Sequence, residues 1–237
     1  MFKKNLNKIQ FISTIEGLDS IEECLPKPAK YFIPQWFKDI PSNDNMSVKV
    51  CPSFPDFFSQ GYIIPMWADS RLKSDGNTWS YETSLKDIFW EIHGNQQFLN
   101  YADASFNGIS TQVVFKPNCP WKIITPPGWS VLQLPLFYHF NKEWSVLPGI
   151  LDTDIYHESN QQILYHGNGK EIEIKRGTPL ALYIPFKRSN KLKNIIRYKT
   201  KNDETIFNKH EIGITSRFSP NGWYREQQRK RDKNFNK

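Results

Sequence analysis

Leu147-Pro148-Gly149-Ile150-Leu151-Asp152-Thr153-Asp154-Ile155-Tyr156, followed downstream by Glu171-Ile172-Glu173-Ile174-Lys175-Arg176-Gly177-Thr178-Pro179-Leu180-Ala181-Leu182, is the stretch that decides the fold class. In residues 171–175 polar and apolar side chains alternate strictly, the period-two pattern of a strand with one wet and one packed face. Arg176-Gly177-Thr178-Pro179 carries turn chemistry, and the apolar run 180–185 reads as the next strand. Outward from this core, residues 162–165, 144–147, 129–137, 121–125 and 113–116 repeat the rhythm, broken by Pro117-Asn118 and by Pro126-Pro127-Gly128. Short apolar runs at this spacing predict a mainly β chain, a sandwich or distorted barrel of short strands with a few short helices.

The upstream half fits the same class. Residues 1–25 read as a strand and a short helix that ends before Pro26. Prolines at positions 26, 28, 34, 41, 52, 55 and 65 exclude long helices over that region. Two single turns stand out there: Gln35-Trp36-Phe37-Lys38-Asp39, after Pro34, and Asp56-Phe57-Phe58, before Gly61. Residues 62–67 read as a buried strand. The polar stretch 69–77 reads as a loop ending in the turn signal Asp75-Gly76-Asn77, and 78–83 as the returning strand of a hairpin. Residues 87–92 continue the pattern, and the Asn- and Gln-rich 94–108 reads as a loop with local helix.

Aromatic residues make up 15% of the 237, enough bulky apolar area for one core despite a low mean hydropathy. A single β-rich domain is expected over residues 1–186, with its core motif at 120–186. A basic C-terminal extension follows over 187–237. The net charge of +7 is uneven: residues 1–186 hold 16 Lys and Arg against 19 Asp and Glu, and 187–237 hold 15 against 5. Lys187, Arg188, Arg229, Lys230 and Arg231 are therefore candidate contacts to a polyanion, although such tails are commonly just solvated. The extension is compatible with helix, with partial disorder or with a segment docked on a partner. Cys24, Cys51 and Cys119 form no CxxC pair, so buried free thiols are expected rather than a disulfide framework. No run of eighteen or more apolar residues is present, which predicts no membrane span and a cytoplasmic protein, in a host cell or associated with a virion.

Gly149, Ile150, Leu151, Asp152 and Tyr156, two strands joined by a turn, and then Gly177 opening an apolar strand resemble the trimeric dUTPase and dCTP deaminase superfamily, the β-clip fold. Pro126-Pro127-Gly128-Trp129 resembles the Pro-Gly turn that starts an earlier strand there, so the likeness spans roughly residues 120–186. It implies that Asp152 binds a sugar hydroxyl and activates water held by a phosphate-bound Mg2+, that Tyr156 lies under the deoxyribose, and that the site forms between subunits of a trimer. The family's Ser-Gly phosphate motif has no match in Leu134-Pro135-Leu136-Phe137-Tyr138. Its Gly-rich arm finds only a faint echo around Arg217. Longer phrases, Cys51-Pro52-Ser53-Phe54, Gly61-Tyr62-Ile63-Ile64-Pro65, Thr125-Pro126-Pro127-Gly128 and Ile184-Pro185-Phe186-Lys187-Arg188 among them, resemble an uncharacterised family of marine phages and bacteria, the DUF6065 type, which carries no reaction to transfer.

Three functions follow as expectations. The first is a binding or assembly protein on a dUTPase-like scaffold without robust catalysis, with Asp152 and Asp154 as turn formers that bond nearby backbone N–H groups. The second is a nucleotide-acting hydrolase or deaminase-like enzyme using Asp152, Tyr156 and Arg217. The third is a cupin-like metal-dependent oxygenase, because a β scaffold can gather His and carboxylate ligands and Asp154 and His157 sit on one loop. The remaining histidines, His93, His139, His166 and His210, show no His-x-Asp or His-x-Glu spacing. No GxxxxGK[ST], GxGxxG or Gly-x-Ser-x-Gly motif is present.

Overall fold

Strand formation follows the apolar alternation almost throughout the computed structural model, which describes residues 8–41, 47–75, 78–86, 90–93, 105–106, 109–110, 113–188, 194–211 and 222–235. In chain order the strands are β1 (Gln10–Ser13), β2 (Lys27–Pro28), β3 (Tyr62–Pro65), β4 (Ser70–Ser74), β5 (Trp79–Thr83), β6 (Trp90–His93), β7 (Ser105–Phe106) and β8 (Ile109–Ser110). They continue with β9 (Val114–Pro117), β10 (Trp121–Ile124), β11 (Trp129–Pro135), β12 (Trp144–Val146), β13 (Gly149–Leu151), β14 (Ile163–Tyr165), β15 (Ile172–Ile174) and β16 (Pro179–Lys187). Helices are short: α1 (Gln35–Asp39), α2 (Ser53–Phe58), α3 (Lys201–Glu211) and α4 (Trp223–Phe235). The chain is mainly β, and its strands pair antiparallel in separate ladders, none of which closes into a barrel among the described residues.

The chain divides into two units, one of residues 1–34 and 59–190, the other of residues 35–58 and 191–237. The first unit is built on the ladder β13-β11-β16-β3-β2, with β11 and β16 paired from Trp129↔Lys187 to Pro135↔Ala181. A second ladder runs β12-β14-β9-β6, a third β15-β4-β5, and β1 pairs with β10. Their packed faces meet in one core that includes Trp67, Leu72, Phe115, Ile123, Ile163 and Leu180, all fully buried. Gly61 opens β3 with φ +69°, and a Cβ there would lie 2.2 Å from the Tyr183 carbonyl oxygen, so only glycine lets β3 meet β16 this closely.

In the second unit Phe37 and Phe58, from α1 and α2, pack with ring centroids 4.8 Å apart. Asp56 of α2 receives Arg225 Nη1 at 2.6 Å and Gln228 Nε2 at 2.7 Å, both from α4. The sequence reading keeps 35–58 with the β-rich part; its aromatic and acidic side chains instead find partners within the C-terminal unit. The stretch 69–77 likewise differs from the loop expected of it. Residues 70–74 form β4, the hairpin partner of β5, because Ser70, Leu72 and Ser74 alternate inward while Arg71 and Lys73 face water. Small buried serines hid the apolar alternation. The turn residues Gly76 and Asn77, residues 87–89 and most of 94–108 lie outside the described residues. Among the described residues no helix is long and apolar enough to cross a membrane.

Candidate functional site

Asp152 and Asp154 sit on the turn that follows β13, and Arg188 follows the end of β16. Because β13 and β16 flank β11 on opposite sides, these groups meet across Ser130, the second residue of β11. Arg188 grips Asp154 with two parallel bonds, Nη1 to Oδ1 at 2.8 Å and Nη2 to Oδ2 at 2.6 Å. Its Nη1 also reaches Ser130 Oγ at 2.8 Å, the Trp129 carbonyl at 3.0 Å and Asp152 Oδ1 at 3.2 Å. Ser130 Oγ donates to Asp152 Oδ1 at 2.5 Å, and the Gly128 N–H donates to Asp154 Oδ2 at 2.7 Å. Gly128 has φ +84° and closes the 126–129 turn, in which the Trp129 N–H donates to the Pro126 carbonyl.

The two aspartates differ in setting. The Asp154 side chain is 7% exposed and that of Asp152 54%. The Arg188 guanidinium beside Asp154 is the largest influence on it; burial opposes, the Gly128 N–H assists, and the carboxyl is held at about 2. The same pairing pushes the Arg188 guanidinium up. Both oxygens of Asp154 are thus engaged, and the carboxylate is a fixed anion that clasps the turn to β11 and β16. Besides its own backbone N–H, the local bond expected of a turn aspartate, it is held by Gly128 and Arg188, far away in sequence. Thr153 between them is fully buried and its Oγ1 lies 2.7 Å from Thr125 Oγ1.

The remaining named residues fall as follows. His157 Nδ1 lies 3.0 Å from the Thr153 carbonyl, which only accepts, so Nδ1 carries the proton. Among the described residues no group of three or more His, Cys, Asp or Glu is placed to hold a metal. Tyr156 is 54% exposed, and with Ile150 at 65% and Ile155 at 75% it forms an apolar ledge on the edge strand β13 and the turn after it. Lys187, Arg229, Lys230 and Arg231 are exposed, with Lys230 paired to Glu226 at 2.6 Å. Arg217 lies outside the described residues. Sequence reasoning missed Ser130 and Gly128 as partners of the aspartates and assigned Arg188 to an external anion. The signal available was the position of Arg188 at the end of a strand that had to return beside an Asp-rich turn.

No family model matches the chain, and no curated protein matches it. Among solved structures it is similar to the dUTPase from phage phi11 of S. aureus in two structures. One, a point mutant described with a structural Mg(II) ion, has 11% identity and a TM-score of 0.38, covering 82% of this chain and 100% of that one. The other, described for a species-specific insert, has 12% identity and a TM-score of 0.38, covering 82% and 99%. A point mutant of the Staphylococcus bacteriophage 80alpha dUTPase is similar at 10% identity and a TM-score of 0.38, again covering 82% and 99%. The mainly β assignment of this chain rests on its own strand ladders.

Proposed function

We propose that the protein works by binding or assembly rather than by robust catalysis, through the ledge of Ile150, Ile155 and Tyr156, with the basic helix α4 as a contact to a polyanion. The observation that supports this is the clasp. Arg188 engages both oxygens of Asp154, and with Ser130 it engages Oδ1 of the half-exposed Asp152, while β13 and the turn after it hold three large apolar side chains in water. A general base must be able to take a proton from water, and the Asp154 carboxylate, held low by the Arg188 guanidinium, is a poor acceptor. Exposed apolar side chains fixed on a rigid turn beside an unpaired strand edge are what an association surface requires.

Sedimentation of the full chain tests this reading. Ile155→Asp is expected to lower the fraction of associated protein, with itself or with a co-purifying partner, at unchanged thermal stability. Steady turnover of dUTP or another nucleotide with Mg2+, abolished by Asp152→Asn, would overturn it.

A further inference from the structure

An open cleft of about 840 Å3 lies in the first unit, lined by the 135–146 segment, by Thr178-Pro179-Leu180 and by His166 and Glu173. It contains neither Asp152 nor Arg188. Ser145 is the middle residue of β12, and its neighbours Trp144 and Val146 are buried, so the alternation turns Ser145 to the opposite face. β12 pairs with β14 in the register Ser145↔Leu164 and Trp144↔Tyr165, and the His166 N–H extends the ladder by donating to the Glu143 carbonyl at 2.8 Å. Ser145 and His166 are therefore diagonal neighbours on one face, and Ser145 Oγ lies 2.9 Å from His166 Nε2. Burial pushes the His166 imidazole down, which favours its neutral form. His139, Lys142, Glu143 and Glu173 are the other titratable groups of the cleft, and burial pushes His139 down as well.

The apolar wall comes from Leu136, Phe137, Phe140 and Leu180. Phe137 and Phe140 are largely exposed, and Phe140 adopts φ +51°, a left-handed conformation that a bulky side chain occupies only under constraint. A hydroxyl within hydrogen-bond distance of an imidazole nitrogen, beside an apolar wall, is an arrangement that activates serine towards carbonyl carbon.

We infer that Ser145 and His166 form a nucleophile and general base for acyl transfer from esters with an aryl or alkyl acyl group. Ser145 Oγ bonds to the carbonyl carbon as its proton passes to His166 Nε2. The ester C–O bond then breaks, and the leaving alcohol takes that proton. Water, giving a proton to the same imidazole, bonds to the acyl carbon; the bond from that carbon to Ser145 Oγ breaks, the imidazolium returns the proton to Oγ, and the carboxylic acid leaves. Acylation outpaces the final hydrolysis, so the inference adds a near-stoichiometric reaction to the binding role proposed above and does not depend on the ledge.

The test uses the full chain with phenylmethylsulfonyl fluoride and with p-nitrophenyl butyrate. The expected result is a single sulfonyl adduct on Ser145 in peptide mass spectra. With the ester, a burst of p-nitrophenol approaching one equivalent is expected, and the labelling rate should fall roughly 100-fold in His166→Gln. In the unmodified chain labelling should rise with pH and level off at a lower pH than an ordinary imidazole would give, following the lowered histidine. An adduct at another residue, no adduct, or equal labelling of His166→Gln would overturn the inference; the first two need no variant, so a misfolded substitution does not shield it.

Discussion

Asp154 shows how a residue that looks reactive in sequence is made structural by its surroundings. Its folded carboxyl titrates at about 2, against about 4 for an unfolded aspartate, so its contribution is fully present above about pH 4 and is lost as pH falls through about 2. Asp154→Asn, which keeps the shape but not the charge, is expected to be less stable than the unmodified chain by on the order of 2 kcal/mol at pH 7. The gap should close between about pH 4 and 2, as read by urea denaturation at stepped pH. A constant gap over that range would mean that Arg188 does not rely on the Asp154 charge. The cysteines separate by the same logic of environment. Burial pushes the thiols of Cys24 and Cys119 up, and Cys119 is further enclosed by Ser159 Oγ at 3.1 Å and Gln161 Nε2 at 3.5 Å, whereas Cys51 is partly exposed. With Ellman's reagent the folded chain is expected to release one fast equivalent, mapped to Cys51, with the other two reacting only in denaturant. Two fast equivalents would contradict the burial of Cys24 or Cys119.

At the scale of elements, alternation made most strands legible and polar interiors hid the rest. Residues 171–175 and 180–185 alternate or run apolar in plain view and became β15 and β16. β4 was concealed by Ser70 and Ser74, whose small size lets them sit in a core without an apolar signature. The turn 152–158 was legible as a turn, but its partners were not, because the clasp joins β11, β13 and β16 and depends on a ladder order that no local pattern encodes. The same holds for the buried chain of polar groups between strands: Gln161 Nε2 to Tyr183 Oη at 2.6 Å, Tyr183 Oη to Gln133 Oε1 at 2.9 Å, and Gln133 Nε2 to the Leu147 carbonyl at 2.9 Å. Tyr183 is fully buried in β16. Tyr183→Phe leaves the Gln133 oxygen and the Gln161 amide without their shared partner, so a loss of about 1–3 kcal/mol is expected in chemical denaturation. A neutral outcome would mean that the chain re-forms without the hydroxyl.

At the scale of the whole molecule, charge and fold are segregated along the chain: the basic excess begins at residue 187, at the end of β16, and α4 carries five Lys and Arg against two Asp and Glu, whereas α3 carries two against three. α4 keeps its Arg225 and Gln228 for Asp56, which burial alone would raise but which these two partners hold below its ordinary value. Arg229, Lys230 and Arg231 are exposed; Lys230 pairs with Glu226, which also feels Arg229, and Arg231 adds its charge near Asp56. Binding of a basic surface to duplex DNA weakens with salt by about 0.9 log units per log unit of salt for each phosphate neutralised. Replacing the three residues with glutamine is therefore expected to lower affinity for random-sequence duplex DNA at low salt and to flatten the salt slope by about 2, while Lys187→Gln alone flattens it by less than 1. Folding should be unaffected, because exposed charges of this kind contribute little to stability. An unchanged slope in the triple variant would place the polyanion contact elsewhere or remove it, leaving the apolar ledge of the first unit as the sole proposed contact surface.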